Sequence, residues 1–193
     1  VWIKSRSHSV YSGNLKYNHV VWDALRGVGL DTSASSSRKE LTINEIYPEG
    51  SAINLSNYYG HVSAFNSDGF TLDHITGQPA FLTNQTGRTY VGWNWNAGGT
   101  TVTNNDGTIS SQVRANTTAG FSIITYTGTG SAGATVGHGL GVTPDVIIIK
   151  NRTDGSSSFW AVYHSAAFNS ASDPNILYLN EDDAQADDTN VFG

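Results

Sequence analysis

The chain has 193 residues, 38% of them hydrophobic and 11% aromatic, which is enough to bury a core and too aromatic for a disordered segment. Charged residues are only 13%, and a formal net charge of -6 repels phosphate backbones, so nucleic acid is not an expected partner. With no cysteine, disulfides and thiolate zinc sites are excluded.

In chain order, strand character appears at Val1–Lys4, His19–Trp22, Tyr59–Phe65, Phe70–Leu72, Thr89–Trp95, Gly120–Thr127, Asp145–Lys150, Phe159–Tyr163 and Ile176–Leu179. Turn clusters separate them: Ser12-Gly13, Pro48-Glu49-Gly50, Asn66-Ser67-Asp68-Gly69, Thr86-Gly87, Asn105-Asp106-Gly107 and Asp154-Gly155. Asp23–Val28, His164–Asn169 and Asp182–Asp188 are long enough for one helical turn each, but none carries an extended apolar helical period. The pattern predicts an all-β protein, an antiparallel β-sandwich of jelly-roll or concanavalin A-like type. The longest apolar run, Val146-Ile147-Ile148-Ile149, is far short of the ~20 residues that span a bilayer, so membrane insertion is not expected. The chain starts inside an apparent strand, without methionine, and reads as a segment of a longer polypeptide.

An internal repeat organises the sequence. Val1-Trp2-Ile3-Lys4-Ser5-Arg6 matches Ile147-Ile148-Ile149-Lys150-Asn151-Arg152, and Val20-Val21-Trp22-Asp23 matches Ala161-Val162-Tyr163-His164. A looser third match sets Gly29-Leu30-Asp31-Thr32 against Ile176–Asn180. This divides the chain into two incomplete tandem modules, 1–97 and 119–193. The Thr/Asn/Gly-rich segment 98–118, poor in core-filling residues, is expected to connect them.

Several of these motifs resemble a repeated module of marine bacteriophage tail-fibre and virion structural proteins. They are Val1–Arg6, Ser67-Asp68-Gly69-Phe70-Thr71-Leu72, Tyr90–Gly99, Gly120–Gly128, Val136–Val142 and Asp145–Arg152. The resemblance implies a concanavalin A or laminin-G type of sandwich, located on the phage particle surface or tail. It implies a structural role in assembly and host-surface attachment rather than catalysis. The expected partners are other virion proteins, further copies in a homo-oligomer (a trimer if it is a fibre) and host-surface glycans. The alternatives weighed against it are a lectin-like carbohydrate-binding module and a segment of a polysaccharide depolymerase.

Candidate site residues follow from side-chain chemistry. Trp93 and Trp95 alternate with Val91, so a period of two puts all three on one face and Tyr90 on the other. Tryptophans stack on sugar rings, which makes Trp93, Trp95, Tyr90 and the glycine-flanked His138 the candidate carbohydrate-binding set; filling a sandwich core is the reading expected of the tryptophan face. Glu181, Asp182 and Asp183 form an acidic run able to offer oxygen ligands to calcium, with a solvated turn as the plainer reading and no other cofactor expected. Glu40, Glu45 and Glu49 are the acids a glycosidase would need. Gly128-x-Gly130-x-x-Gly133 formally matches a dinucleotide fingerprint but lacks the following helix, so a glycine-rich loop is expected. The Lys-x-Arg pairs Lys4/Arg6 and Lys150/Arg152 are expected to end their strands and satisfy nearby carboxylates or carbonyls.

Overall fold

The computed structural model describes residues 1–7, 10–11, 15–16, 18–28, 38–50, 60–74, 80–154, 158–167, 175–182 and 186–187. The Ser12-Gly13 turn, the Gly29–Thr32 repeat element and Asp183 lie outside them. Among the described residues every regular element is a strand, and no helix is long and apolar enough to cross a membrane. The chain divides into two compact units: Val1–Asn94 with Ile149–Trp160 and Tyr178–Asp182, and Trp95–Ile148 with Ala161–Leu177 and Asp183–Gly193.

In the first unit the strands are β1 (Trp2–Ser5), β2 (Val10–Tyr11), β3 (Leu15–Lys16), β4 (Val20–Val21), β5 (Leu41–Thr42), β6 (His61–Asn66), β7 (Gly69–Asp73) and β8 (Tyr90–Trp93). An antiparallel sheet runs β5-β4-β1-β8, with Trp2 opposite Val21 and Trp93, and Ile3 opposite Val20 and Gly92. The strand period of two then sorts the side chains. Ile3, Val20 and Trp22 point to one side and form a buried cluster with Val62, Phe81 and Leu82. Phe65, Phe70 and Leu72 of the β6–β7 hairpin close over that cluster, so hairpin and sheet make two packed layers. Full burial of side chains such as Trp22, Val20 and Val62 contributes about 2 kcal/mol each. On the opposite side, Trp2 and Val21 pack against Leu41, Ile43 and Trp160, whose indole N–H donates to the Thr42 carbonyl at 2.9 Å.

In the second unit β9 (Val102–Asn104), β10 (Ser111–Asn116) and β11 (Phe121–Tyr126) form an antiparallel sheet in the order β11-β10-β9. The β10–β11 turn is held by Asn116, whose side-chain oxygen accepts the Ala119 N–H, and by Gly120 at φ 64°. Segment 98–118, expected as a connector, therefore carries two paired strands. Its few apolar residues are the reason it reads poorly, yet alternation puts Ser111 and Val113 on one buried face. Across the other face, Arg114 donates to the carbonyls of Gly98 and Gly99. Gly98 must be glycine there: its φ is +82° and an added Cβ would lie 2.4 Å from the Ala115 carbonyl oxygen. The Gly128–Gly133 stretch is a loop, with Gly130 and Gly133 at positive φ, and it leads into Val136, which bridges Ile109 in parallel.

A further sheet runs β12-β13-β14-β15, from β12 (Val146–Lys150), β13 (Trp160–His164), β14 (Asn175–Tyr178) and β15 (Ala186–Asp187). Ala186 and Asp187 pair with β14, so the helical turn considered for Asp182–Asp188 gives way there to a short strand. Asp23–Gly27 and His164–Ala167 are single turns, the first capped by Asp23 Oδ1 accepting the Leu25 and Arg26 N–H groups. The architecture is all-β and sandwich-like, built of several sheets with antiparallel pairing, none closed into a barrel.

The repeat is visible in hydrogen bonds. The His19 N–H donates to Asn44 Oδ1 at 2.7 Å, and the Trp160 N–H donates to Asn180 Oδ1 at 2.8 Å. The Ile43 N–H donates to the His19 carbonyl at 2.9 Å, and the Leu179 N–H to the Trp160 carbonyl at 3.0 Å. The neighbour order β1-β4-β5 thus recurs as β12-β13-β14. The counterpart of Leu177-Tyr178-Leu179-Asn180-Glu181 is Leu41-Thr42-Ile43-Asn44-Glu45, not the Gly29–Thr32 segment aligned from sequence.

Candidate functional site

The outward face of β1 and β8 carries the most ligand-like chemistry. Because Trp2 faces Trp93 in register, their rings meet at 5.3 Å between centroids and 55° between planes. Trp2 also meets His19 edge-on at 5.6 Å, and its indole N–H donates to His19 Nδ1 at 3.1 Å. That bond requires an unprotonated Nδ1, so the neutral imidazole carries its proton on Nε2. Burial, then the nearby Lys4 charge, holds the His19 pKa below the ordinary histidine value, which favours this neutral form. Lys4 lies beside Val91 on the same face, and its own pKa is lowered by burial. The result is a rigid Trp–Trp–His row next to a cationic side chain, with Trp93 left 43% exposed.

The sequence-predicted site residues separate. The tryptophans do not fill a core: Trp93 is exposed as given, and Trp95 is 49% exposed. The reason is register. Tyr90 and Gly92 oppose Ser5 and Ile3 on the core side of β1, which sends Val91 and Trp93 outward. β8 ends at Trp93, and Trp95 belongs to the other unit, where it stacks on Phe121 at 6.0 Å and 19°. Tyr90 is a structural anchor: its hydroxyl donates to the Phe81 carbonyl at 2.8 Å and accepts the Gln85 N–H at 3.0 Å. His138 is half-buried in the second unit, its Nδ1 accepting the Leu140 N–H at 3.2 Å. Trp2 and His19, which the sequence did not single out, complete the row; Trp2 stands on β1 directly opposite Trp93, and His19 immediately precedes β4 on the other side of β1.

Glu181 and Asp182 are exposed, and Asn180 donates to Glu181 Oε1 at 2.8 Å. Among the described residues no group of three or more His, Asp or Glu side chains is placed to hold a metal ion.

A second polar centre is a charge network around Glu49. Its carboxylate meets Arg152, Lys39 Nζ at 3.2 Å and Arg26 at 3.6 Å, and Arg26 also binds Asp23 and the Lys39 carbonyl. Although burial alone would raise the Glu49 pKa, the hydrogen bond from Arg152 and the charge of Arg26 outweigh it and hold the pKa below the usual range. Burial pushes Glu40 the other way, upward. Diverging carboxylates are a pattern of acid–base sites, but both Glu49 oxygens are engaged by cations, which leaves it a poor nucleophile or base. Lys150 donates to the Ile46 and Ser158 carbonyls, and burial pushes its pKa down to about 8. The second Lys-x-Arg pair thus satisfies a carboxylate and carbonyls.

Together these features define an all-β, sandwich-like protein carrying an aromatic row that exposes Trp93 and an ionic network centred on the buried Glu49 carboxylate. The whole chain, residues 1–193, matches the model of DUF7483, a domain of unknown function, and the chain belongs to that family. No curated protein and no solved structure matches it.

Proposed function

We propose that this protein is a structural module of a bacteriophage virion, in a tail fibre or another surface-exposed part, used in assembly and host-surface attachment rather than catalysis. The observation that carries the reading is the recurrent sheet unit, β1-β4-β5 and β12-β13-β14, each with the Asn44/Asn180-type clamp. Sheets repeated in series suit a protein extended by repetition, and the motifs resembling marine phage modules fall in and around these strands. The test is location. Antibody raised against residues 1–193 should decorate purified phage particles in electron micrographs, and mass spectrometry should find the chain in the same particles. A chain absent from particles purified to constant infectivity refutes the proposal.

The Trp2–Trp93–His19 row, with Trp93 exposed, favours a second reading for the attachment role, as a lectin-like surface for host glycans. A flat indole presented beside N–H donors stacks on the apolar face of a pyranose and gives its hydroxyls polar partners. Retention of the recombinant chain on host polysaccharide should fall about tenfold or more with Trp93→Ala. Equal retention of wild type and variant excludes the row as the binding surface.

A further inference from the structure

The repeat leaves one strand differently dressed in its two copies. In the first copy β1 is covered on both edges, by β4 and by β8. In the second copy β12 has β13 on one edge and, among the described residues, no strand on the other. The side chains show the same difference. Trp2 is half-buried under Trp93, while its counterpart Ile148 is 49% exposed and Val146, two residues back on the same face, is 48% exposed. Backbone polarity follows by equivalence. The Arg6 N–H donates across to Thr89, so even-numbered amides of β1 point to β8, and the Asp145 carbonyl accepts from Ser165 on the opposite side of β12. The N–H groups of Val146 and Ile148 therefore point out of the edge that no described strand covers, while at its far end the Arg152 carbonyl already accepts the Glu49 N–H. An apolar edge strand with aligned outward donors invites an added strand.

We propose that β12 binds an extended antiparallel strand of the β8 pattern, aromatic-x-Gly-Trp, supplied by another copy of the repeat. The first copy shows why that pattern fits. Gly92 stands opposite Ile3, where an added Cβ would meet only Phe70 and the Trp2 carbonyl at ordinary contact distance, and the tryptophan that follows packs on the outward residue of the covered strand. On β12 the incoming glycine would face Ile149 and the incoming tryptophan would cover Ile148. The proposal does not depend on the virion reading; it concerns only the edge.

The probe is a synthetic peptide of residues 86–97, added to the full chain and followed by amide hydrogen exchange. Exchange at Val146 and Ile148 should slow about tenfold or more at saturating peptide, while β1 amides, already paired with their own β8, stay unchanged. A peptide carrying Trp93→Ala should bind at least tenfold more weakly. In the chain, Ile148→Lys should abolish the protection and leave the unfolding midpoint within about 2 °C, because the side chain is half exposed. Equal protection by a scrambled peptide, or none at millimolar peptide, overturns the proposal. So does loss of β12 exchange with rising chain concentration alone, which would make β12-to-β12 pairing the occupant.

Discussion

The Glu49 network gives a quantitative test of what holds the first unit together. Glu49 and Arg26 expose only 8% and 3% of their side chains, whereas Arg152 exposes 39%. Removing one partner of a buried pair costs about 3–5 kcal/mol because the other charge is stranded. Glu49→Ala leaves Arg26 with Asp23 and the Lys39 carbonyl, so the lower end, about 3 kcal/mol, applies. For a chain of this size that is a fall of roughly 6–12 °C in Tm. Arg152→Ala removes a more exposed partner and should cost only about 1 kcal/mol. The assay is urea denaturation of the two single variants and the double variant. The cycle should return a coupling of about 1 kcal/mol between Glu49 and Arg152, little changed by added salt because the carboxylate is enclosed. A Glu49→Ala cost below 1 kcal/mol, or a coupling erased by 0.5 M salt, refutes the view that this is an enclosed lock.

Other outcomes follow from the same geometry. Glu40 has a folded pKa raised above its unfolded value, so the folded state takes up its proton first; stability should rise as pH falls through the folded pKa toward the unfolded one, and Glu40→Gln should remove that rise in Tm. Glu49 has a folded pKa lowered below its unfolded value, so its contribution is present above the unfolded pKa and lost as pH falls through the folded one; Glu49→Gln should flatten the decline measured below about pH 4. Asn44→Ala and Asn180→Ala remove equivalent acceptors and should each cost about 1–2 kcal/mol in urea denaturation, with a much smaller cost at either site breaking the equivalence. Gly98→Ala should destabilise by over about 2 kcal/mol, while Gly99→Ala, whose added Cβ meets nothing within 4 Å, should stay within about 0.5 kcal/mol; equal effects would refute the close approach of Gly98 to the Ala115 backbone.

Strand identity was largely legible because most strands carry β-branched or aromatic runs between Gly, Asn and Asp turns. β9 and β10 were not, since Thr103, Gln112, Arg114 and Asn116 on their polar side, and Asn104 opposite Ser111 on the other, hide the alternation that buries Ser111 and Val113. β5 escaped for a different reason: two residues are too short for a periodic signal, and only the Asn44 clamp marks the position. The site was legible in part. Val91-x-Trp93 gives the period correctly but not its direction, because a period of two fits either face equally, and the period stops before Trp95, where β8 has ended. What sets the direction is Gly92 and Tyr90 meeting Ile3 and Ser5, a long-range register that no local window contains.

The same register explains how one repeated position serves opposite ends. His19 and Trp160 stand at equivalent places, each donating its backbone N–H to the clamp asparagine and accepting from the strand beyond. At Trp160 the side chain enters a cluster with Leu41 and Ile43 and spends its indole N–H on a backbone carbonyl, which is a packing role. At His19 a smaller, polar ring accepts from Trp2, which itself packs on the exposed Trp93. The backbone bonds are kept because a strand end needs its N–H satisfied whatever the side chain does. The side chain is then the free variable, and exchanging a large indole for an imidazole turns a buried joint into the floor of an open aromatic surface. A module copied along a chain gains surfaces in this way without altering its sheet, which is why the uncovered faces at Trp93 and Ile148 carry the functional argument and the clamped strands carry the stability.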